Sequence, residues 1–378
     1  RILQHHRKGK YCANASHNMK PDSQCQRLNP VIRLTAEKDA KGKKKQTTIS
    51  MSSHHKHNKK AANDNAIYYH HFTLRFCLLY KPHHMRYVPM IVFSLMVSVS
   101  GMLPVRAQPT IPDMTEQAKA QFEIRQIEMK SDAQHAYRLF IALPRQPVPE
   151  GGYPVLYMLD GNAQFPVAVN CYNAKNGAAP LIVAIGYPID KPYDVPARTR
   201  DYTPPTTLTD PDFAAGGEAE AFYQFLQSTV KPWVEANYAV NKQKQTLAGH
   251  SFGGLFTLYT LFNHTESFQR YVAASPSIWW GNGVVIPART PLIATPPPSI
   301  TVTAGENEDE PAKTQAGKPV DEKRAERLSQ RKMVERATAL VAQLNEQGTK
   351  ADFILFPGKG HGDVIPDAIG KAVAIAGQ

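Results

Sequence analysis

The segment Gly249-His250-Ser251-Phe252-Gly253-Gly254 constrains the fold of this chain more than any other part of it. It fits G-x-S-x-G, a pattern in which a strand ends, the backbone turns sharply at the serine, and a helix begins. A serine hydroxyl is a weak nucleophile, so the pattern carries chemical meaning only where that turn exposes its Oγ. The flanks supply the setting. Lys244-Gln245-Thr246-Leu247-Ala248 runs into the turn, and residues 255–262 continue as an apolar helix. Glycines at 249, 253 and 254 leave room for a strained backbone and a close strand–helix approach. Ser251 is therefore the candidate nucleophile.

Strand and helix patterns alternate around this turn. Residues 121–129 and 136–143 read as two early strands, expected to be antiparallel. Residues 154–159, 181–185, 246–248, 271–274, 300–304 and 351–356 read as later, more buried strands rich in Val, Ile and Leu. Residues 218–238 and 321–347 have helical composition, and the charges from Lys323 to Arg336 are expected to form a solvated helix face. The expected fold class is α/β, an α/β-hydrolase fold with a mostly parallel central sheet flanked by helices.

A serine hydrolase of this kind needs a histidine to take the Oγ proton and an acid to orient that histidine, in the chain order Ser, acid, His. Downstream of residue 107 the histidines are His135, His250, His264 and His361. The first two precede Ser251, and His264 lies near the end of the elbow helix. His361, in the loop Gly358-Lys359-Gly360-His361-Gly362 after the last strand, is the expected base. The acid belongs on the loop after the preceding strand, where Gly305-Glu306-Asn307-Glu308-Asp309-Glu310 offers four carboxylates. Loop reach favours Glu308 over Glu306. An oxyanion hole would use the N–H of Phe252, and a second N–H from the turn Asp160-Gly161-Asn162, with Asn162 preferred to Gly161.

Charge invites a different reading, which its distribution excludes. The net charge is +12, but residues 1–107 hold 19 Lys and Arg against 4 Asp and Glu, while residues 108–378 hold 25 against 28. The second segment is net −3, so no nucleic-acid partner is expected. The boundary coincides with a targeting pattern: Met85-Arg86-Tyr87, an apolar stretch over 88–103, and Val105-Arg106-Ala107 as a cleavage site before Gln108. Sixteen residues as helix reach about 24 Å, short of the roughly 30 Å hydrocarbon core, so cleavage is expected in place of anchoring. The expected organisation is an untranslated or disordered extension over 1–84, with translation starting at Met85, a signal peptide over 85–107, and a hydrolase domain over 108–378. Export to the periplasm or medium follows, with no stable membrane insertion afterwards. The His-rich piece at 53–57 reads as a polar tract. Of four cysteines only Cys171 lies after residue 107, so no intramolecular disulfide is expected there. No metal-ligand spacing appears in that part, and no metal or other cofactor is expected.

Taken in order, Tyr153 to Ala163, Val183-Ala184-Ile185-Gly186-Tyr187, Asp201-Tyr202-Thr203-Pro204, the elbow, Ala274-Ser275-Pro276-Ser277 and Phe356-Pro357 with Gly360-His361-Gly362 resemble an esterase family of α/β hydrolases. The chain is most similar there to periplasmic trilactone esterases that cleave catecholate siderophores of the enterobactin and salmochelin type. The resemblance covers most of residues 135–375. It implies ester or lactone hydrolysis by Ser251 and His361. Some members lack a strong acid, and the Glu-rich loop departs from those. It also implies that Arg198 contacts the substrate, where a guanidinium can pair with phenolate oxygens and stack on catechol rings. The other reading of Arg198 and Arg200 is a surface or loop-bracing salt bridge, with Asp201 as a candidate partner. Trp279 would wall the acyl pocket or serve packing alone. The expected partner is a small ester, in the leading reading a ferric or free siderophore lactone. The competing readings are a broader carboxylesterase for small acyl esters or acylated sugars, and a non-catalytic ferric-siderophore binder.

Overall fold

A computed structural model describes residues 111–310 and 322–378. The expected extension, signal peptide and cleavage site lie outside the described residues. Eight strands form one sheet: β1 Phe122–Lys130, β2 Ala136–Pro144, β3 Tyr153–Met158, β4 Leu181–Gly186, β5 Val240–His250, β6 Arg270–Ala274, β7 Ser299–Gly305 and β8 Asp352–Phe356. Their spatial order is β1-β2-β4-β3-β5-β6-β7-β8. The pairs β1·β2 and β2·β4 are antiparallel, and every pair from β4 onward is parallel. This is an α/β-hydrolase fold.

The helices, in chain order, are α1 Glu116–Gln121, α2 Gly161–Cys171, α3 Val195–Tyr202, α4 Ala219–Phe225, α5 Lys231–Asn237, α6 Phe252–Asn263, α7 Glu322–Gln330, α8 Met333–Glu346 and α9 Ile365–Ala376. They cover both faces of the sheet, and strand periodicity decides which residues meet them. Val155, Tyr157, Val183, Leu247 and Tyr271 share one core with Phe222, Phe256 and Leu340. Their chain neighbours Leu156, Ile182, Ala248 and Val272 point the other way, to Phe165 of α2 and Ile369 of α9. Because β3 and β4 are buried along their whole lengths, they read as continuous apolar runs.

Three elements depart from the sequence expectation. The strand expected over 246–248 begins at Val240. Its first half, Asn241-Lys242-Gln243-Lys244, is polar and largely solvated and spans a register shift between the pairs Tyr153–Val240 and Val155–Gln245, so no hydrophobic pattern marks it. The helix expected over 218–238 is interrupted by a wide π turn at Leu226–Val230. Pro232 has no N–H to give to the carbonyl of Ser228 four residues back, which loosens the ladder at that turn. The helix expected over 321–347 breaks between α7 and α8, where Lys332 is left-handed at φ 48°.

Candidate active site

The parallel strands end on one edge of the sheet, and β5, β7 and β8, with β6 lying between β5 and β7, deliver the candidate side chains there. β5 ends at His250, and Ser251 adopts φ 61°, ψ −117° before α6 starts. A positive φ at a non-glycine residue is strained, and the surroundings hold it. Ser251 N–H donates to Ala274 O at 3.0 Å, and Ser251 O accepts from Leu255 N–H and Ser277 N–H at 2.9 and 3.1 Å. The turn is tight enough to require glycine on both sides. A Cβ on Gly249 would lie 2.4 Å from the Gly253 carbonyl, and one on Gly254 would lie 2.6 Å from Ala274 O.

His361 Nε2 lies 3.0 Å from Ser251 Oγ, and His361 Nδ1 lies 2.7 Å from Glu308 Oε2. The Glu308 side chain is fully buried, while that of His361 is 44% exposed, so the histidine is open to solvent. Oε1 of Glu308 accepts from Gly305 N–H and Ser275 Oγ–H, both at 2.6 Å. Burial by itself would raise the Glu308 pKa. Hydrogen bonding and charge from His361, with the Ser275 and Gly305 bonds, outweigh burial and hold the carboxyl below its ordinary value. Glu306 points elsewhere: its carboxylate accepts from Gly358 N–H at 2.8 Å and braces the loop that carries His361.

On the other side of Ser251, α6 and α2 both begin. Among the described residues, neither Phe252 N–H nor Asn162 N–H has an acceptor. Two unsatisfied helix-first-turn donors make a site suited to an oxyanion. The Asn162 side chain is clamped: Nδ2 donates to Tyr187 O and Ile189 O at 2.9 and 3.0 Å, and Oδ1 accepts from Tyr187 N–H at 2.8 Å.

Arg198 makes the bracing salt bridge of the alternative reading, with Asp160 as its partner in place of Asp201. It is 8% exposed, and its Nε and Nη2 grip Asp160 at 2.7 and 2.9 Å. Its guanidinium is spent on bracing the turn that leads into α2, where Asp160 is left-handed at φ 54°, and it also lies over the Phe252 ring at 5.3 Å. Arg200 follows the bracing alternative, with Nε 2.6 Å from Asp201. His135, Asp201 and Glu218 bring three ligand-type atoms within 4.8 Å of one another. The Arg200 guanidinium already lies against both carboxylates, at 2.6 Å from Asp201 and 3.8 Å from Glu218.

Trp279 is half-buried beside the nucleophile. Its ring centroid is 5.9 Å from Phe252 and 6.0 Å from Phe213. Arg331 lies 4.2 Å over Trp279 and pairs with Asp212 at 3.2 Å. The charged run containing Arg331 is thus not wholly a solvated face. Sequence reasoning passed over Phe213, Arg331, Ser275 and Ser277, whose Oγ is 3.4 Å from that of Ser251. Phe213 and Arg331 lie in no recognisable motif, and Ala274-Ser275-Pro276-Ser277 entered only as a segment of the resemblance, with no role given to either serine. Only the position of Ser275-Pro276-Ser277 directly after a buried strand hinted at proximity to the sheet edge.

Comparison with known proteins agrees with this architecture. The sequence model of the family described as "Putative esterase" matches residues 131–352. The chain is 33% identical over 273 residues to the ferri-bacillibactin esterase BesA of Bacillus subtilis, covering 67% of this chain and 89% of that protein. It is 30% identical over 210 residues to the apo-salmochelin esterase of Escherichia coli, covering 53% of this chain and 66% of that protein. Among solved structures, the siderophore hydrolase EstA of Aspergillus nidulans superposes with a TM-score of 0.60 at 27% identity, over 69% of this chain and 96% of that one. The BES protein of Bacillus cereus gives 0.57 at 29% identity, over 68% and 96%.

Proposed function

Because the chain belongs to this esterase family and is a carboxylic ester hydrolase, we propose that Ser251, His361 and Glu308 carry out its chemistry and that its substrate is a siderophore ester or lactone. The observation that supports the relay is the unbroken hydrogen-bonded chain from Ser251 Oγ through His361 to a buried carboxylate, at 3.0 and 2.7 Å. In the first step Ser251 Oγ attacks the ester carbonyl carbon while His361 Nε2 takes the hydroxyl proton. Glu308 keeps Nδ1 protonated and stabilises the imidazolium. The carbonyl oxygen, now an alkoxide, is met by the N–H groups of Phe252 and Asn162. On collapse the C–O bond to the leaving alcohol breaks, and His361 returns its proton to that oxygen. A water molecule, deprotonated by His361, then releases the acyl group from Ser251 as a carboxylic acid.

The relatives' siderophore esterase activities support the substrate class. Trp279 and Phe213, both against Phe252, suit an aromatic acyl group on the acyl side. The hydrolase domain would span residues 108–378 and act outside the cytoplasm after removal of residues 85–107. Among the described residues no helix is long and apolar enough to cross a membrane.

Steady hydrolysis of p-nitrophenyl esters by the full chain, lost in Ser251→Ala, is the expected result. Turnover of a cyclic catecholate trilactone should exceed that of simple acyl esters in kcat/KM. Activity that survives Ser251→Ala would overturn the relay, and a preference for simple acyl esters would overturn the substrate assignment.

A further inference from the structure

We propose that His250, the residue before the nucleophile, is a positioning residue that holds the His361 ring in line between Ser251 and Glu308. The inference rests on His361 being the base. His361 sits on a glycine-rich loop whose backbone is thinly packed: a Cβ added at Gly358 or Gly362 would meet no atom within 4 Å. The loop's neighbours are tied at Gly358, Lys359 and Val364, but those bonds leave the imidazole's tilt to its own contacts. Glu308 and Ser251 touch its two nitrogens at the ring edge, and a ring held only by its edge atoms can still swing about the line joining them.

His250 supplies the missing wall. Its ring centroid lies 4.6 Å from that of His361, with the planes tilted by 39°. It ends β5, between β3 and β6 in the middle of the sheet, and is only 4% exposed. One rigid strand therefore sets both the nucleophile and the surface against which the base rests.

Two further observations argue that the imidazole is there for His361. His250 Nε2 is buried and has no hydrogen-bond partner among the described residues. An orphaned buried polar atom costs stability, and an apolar side chain would fill the space without that cost. Burial, then the nearby charges of His361 and Arg198, also hold His250 well below the ordinary histidine pKa. It is thus neutral when His361 becomes an imidazolium, and presents no like charge to it.

The test compares His250→Ala, His250→Phe and His250→Asn in the full chain, each also in a His361→Ala background, with p-nitrophenyl acetate as substrate. A displacement of about 1 Å at a reacting group can cost about 10²-fold. We expect His250→Ala to lower kcat by about 10- to 100-fold with KM within about twofold. His250→Phe keeps a ring wall and should recover part of the loss. In the His361→Ala background the His250 substitutions should change residual turnover by less than about twofold, because nothing remains to be positioned. The low-field proton resonance of the His361–Glu308 hydrogen bond should weaken in His250→Ala and return in part in His250→Phe. If the Ala variant does not fold, Phe and Asn, with their unfolding midpoints measured, carry the comparison. Unchanged kcat in a folded variant, or equal losses with and without His361, would overturn the inference. High activity in His361→Ala alone would instead overturn the underlying assignment of the base.

Discussion

Replacing Glu308 by Gln tests the proposed relay most sharply, because the surrounding donors dictate how the new amide must sit. Gly305 N–H can only donate, and it lies 2.6 Å from Oε1. A glutamine must therefore turn its carbonyl oxygen toward Gly305 and its NH2 toward His361 Nδ1. Nδ1 then has to accept, which places the imidazole proton on Nε2, the atom that must be free to take the Ser251 proton. The substitution also removes the negative charge beside the imidazolium. Two unit charges about 4 Å apart interact by about 4 kcal/mol at an effective dielectric constant near 20, and each 1.36 kcal/mol corresponds to about tenfold in rate. The charge alone accounts for about 10³ in kcat, and the wrong tautomer extends the expected loss to between about 10³ and 10⁴. KM should stay within about threefold, since Glu308 is buried beneath the histidine and faces no substrate. The assay is steady-state hydrolysis of a p-nitrophenyl ester at pH 7 to 8, with Glu306→Gln as a control expected to keep kcat within about threefold. Stability needs its own measurement. Glu308 titrates below its ordinary value when folded, so it contributes stability above the unfolded carboxyl pKa, and that contribution is lost as pH falls through the folded one. A modest fall in unfolding free energy at neutral pH is therefore expected in Glu308→Gln. A folded Glu308→Gln enzyme within about tenfold of wild-type kcat would refute the reasoning, and a large loss in Glu306→Gln alone would reassign the acid.

Gly186→Ala should reach the oxyanion donor indirectly, because the new Cβ would lie 2.2 Å from Asn162 Oδ1 and 3.0 Å from Asn162 N. Loss of one such donor costs about 10² to 10³ in kcat, and steady-state kinetics showing less than about threefold would contradict the role of Asn162. Asp212→Asn removes the pairing that ties the Phe213 loop to Arg327 and Arg331, at 3.1 and 3.2 Å. A partly exposed pair of this kind is worth about 1 kcal/mol at most, so KM for an aryl ester should rise by up to about fivefold while acetyl ester turnover stays unchanged. Equal effects on both esters would show that the loop does not select the acyl group. Lys231 is buried, and burial pushes its amine down to about 8 in the fold from 10.5. The unfolded chain then holds the extra proton between those values, so wild-type stability should gain from this group as pH rises from about 8 to 9.5, by up to about 2 kcal/mol. Denaturant unfolding of Lys231→Met should lack that gain. An unchanged pH slope would mean that the lysine is solvated.

Local pattern made a large part of the molecule legible. The apolar residues of β1 and β2, the continuous apolar runs of β3 and β4, and the elbow with its helix are all short-range signals. The structure has β1 to β4 within one or two residues of their expected places, while the elbow helix starts three residues early, at Phe252. Chain order then singled out His361, because only one histidine follows the strands after Ser251 outside the elbow helix. What escaped was set by contacts between distant residues. Ser275 meets Glu308 across 33 positions and His361 meets Ser251 across 110. No local spacing encodes that Ser275 hydroxyl. The partner of Arg198 escaped for the same reason, since Asp160, which its guanidinium grips, lies 38 positions earlier.

The sequence by itself determined that a strand, a serine turn and a helix occur in succession inside an α/β sheet, because period-two apolarity and glycine placement act over a few residues. It also led to the expectation of an acid on the loop after β7 and a base on the loop after β8, since chain order survives folding. Which carboxylate faces His361 was decided only by tertiary structure. Parallel pairing of β7 with β8 brings the two loops side by side, Gly305 N–H and Ser275 draw Glu308 inward, and Gly358 N–H draws Glu306 away. Both glutamates are equally acidic in the unfolded chain. The difference between them is a matter of which donors the fold aims at each, and donors aimed from the ends of three different strands have no signature in any one of them.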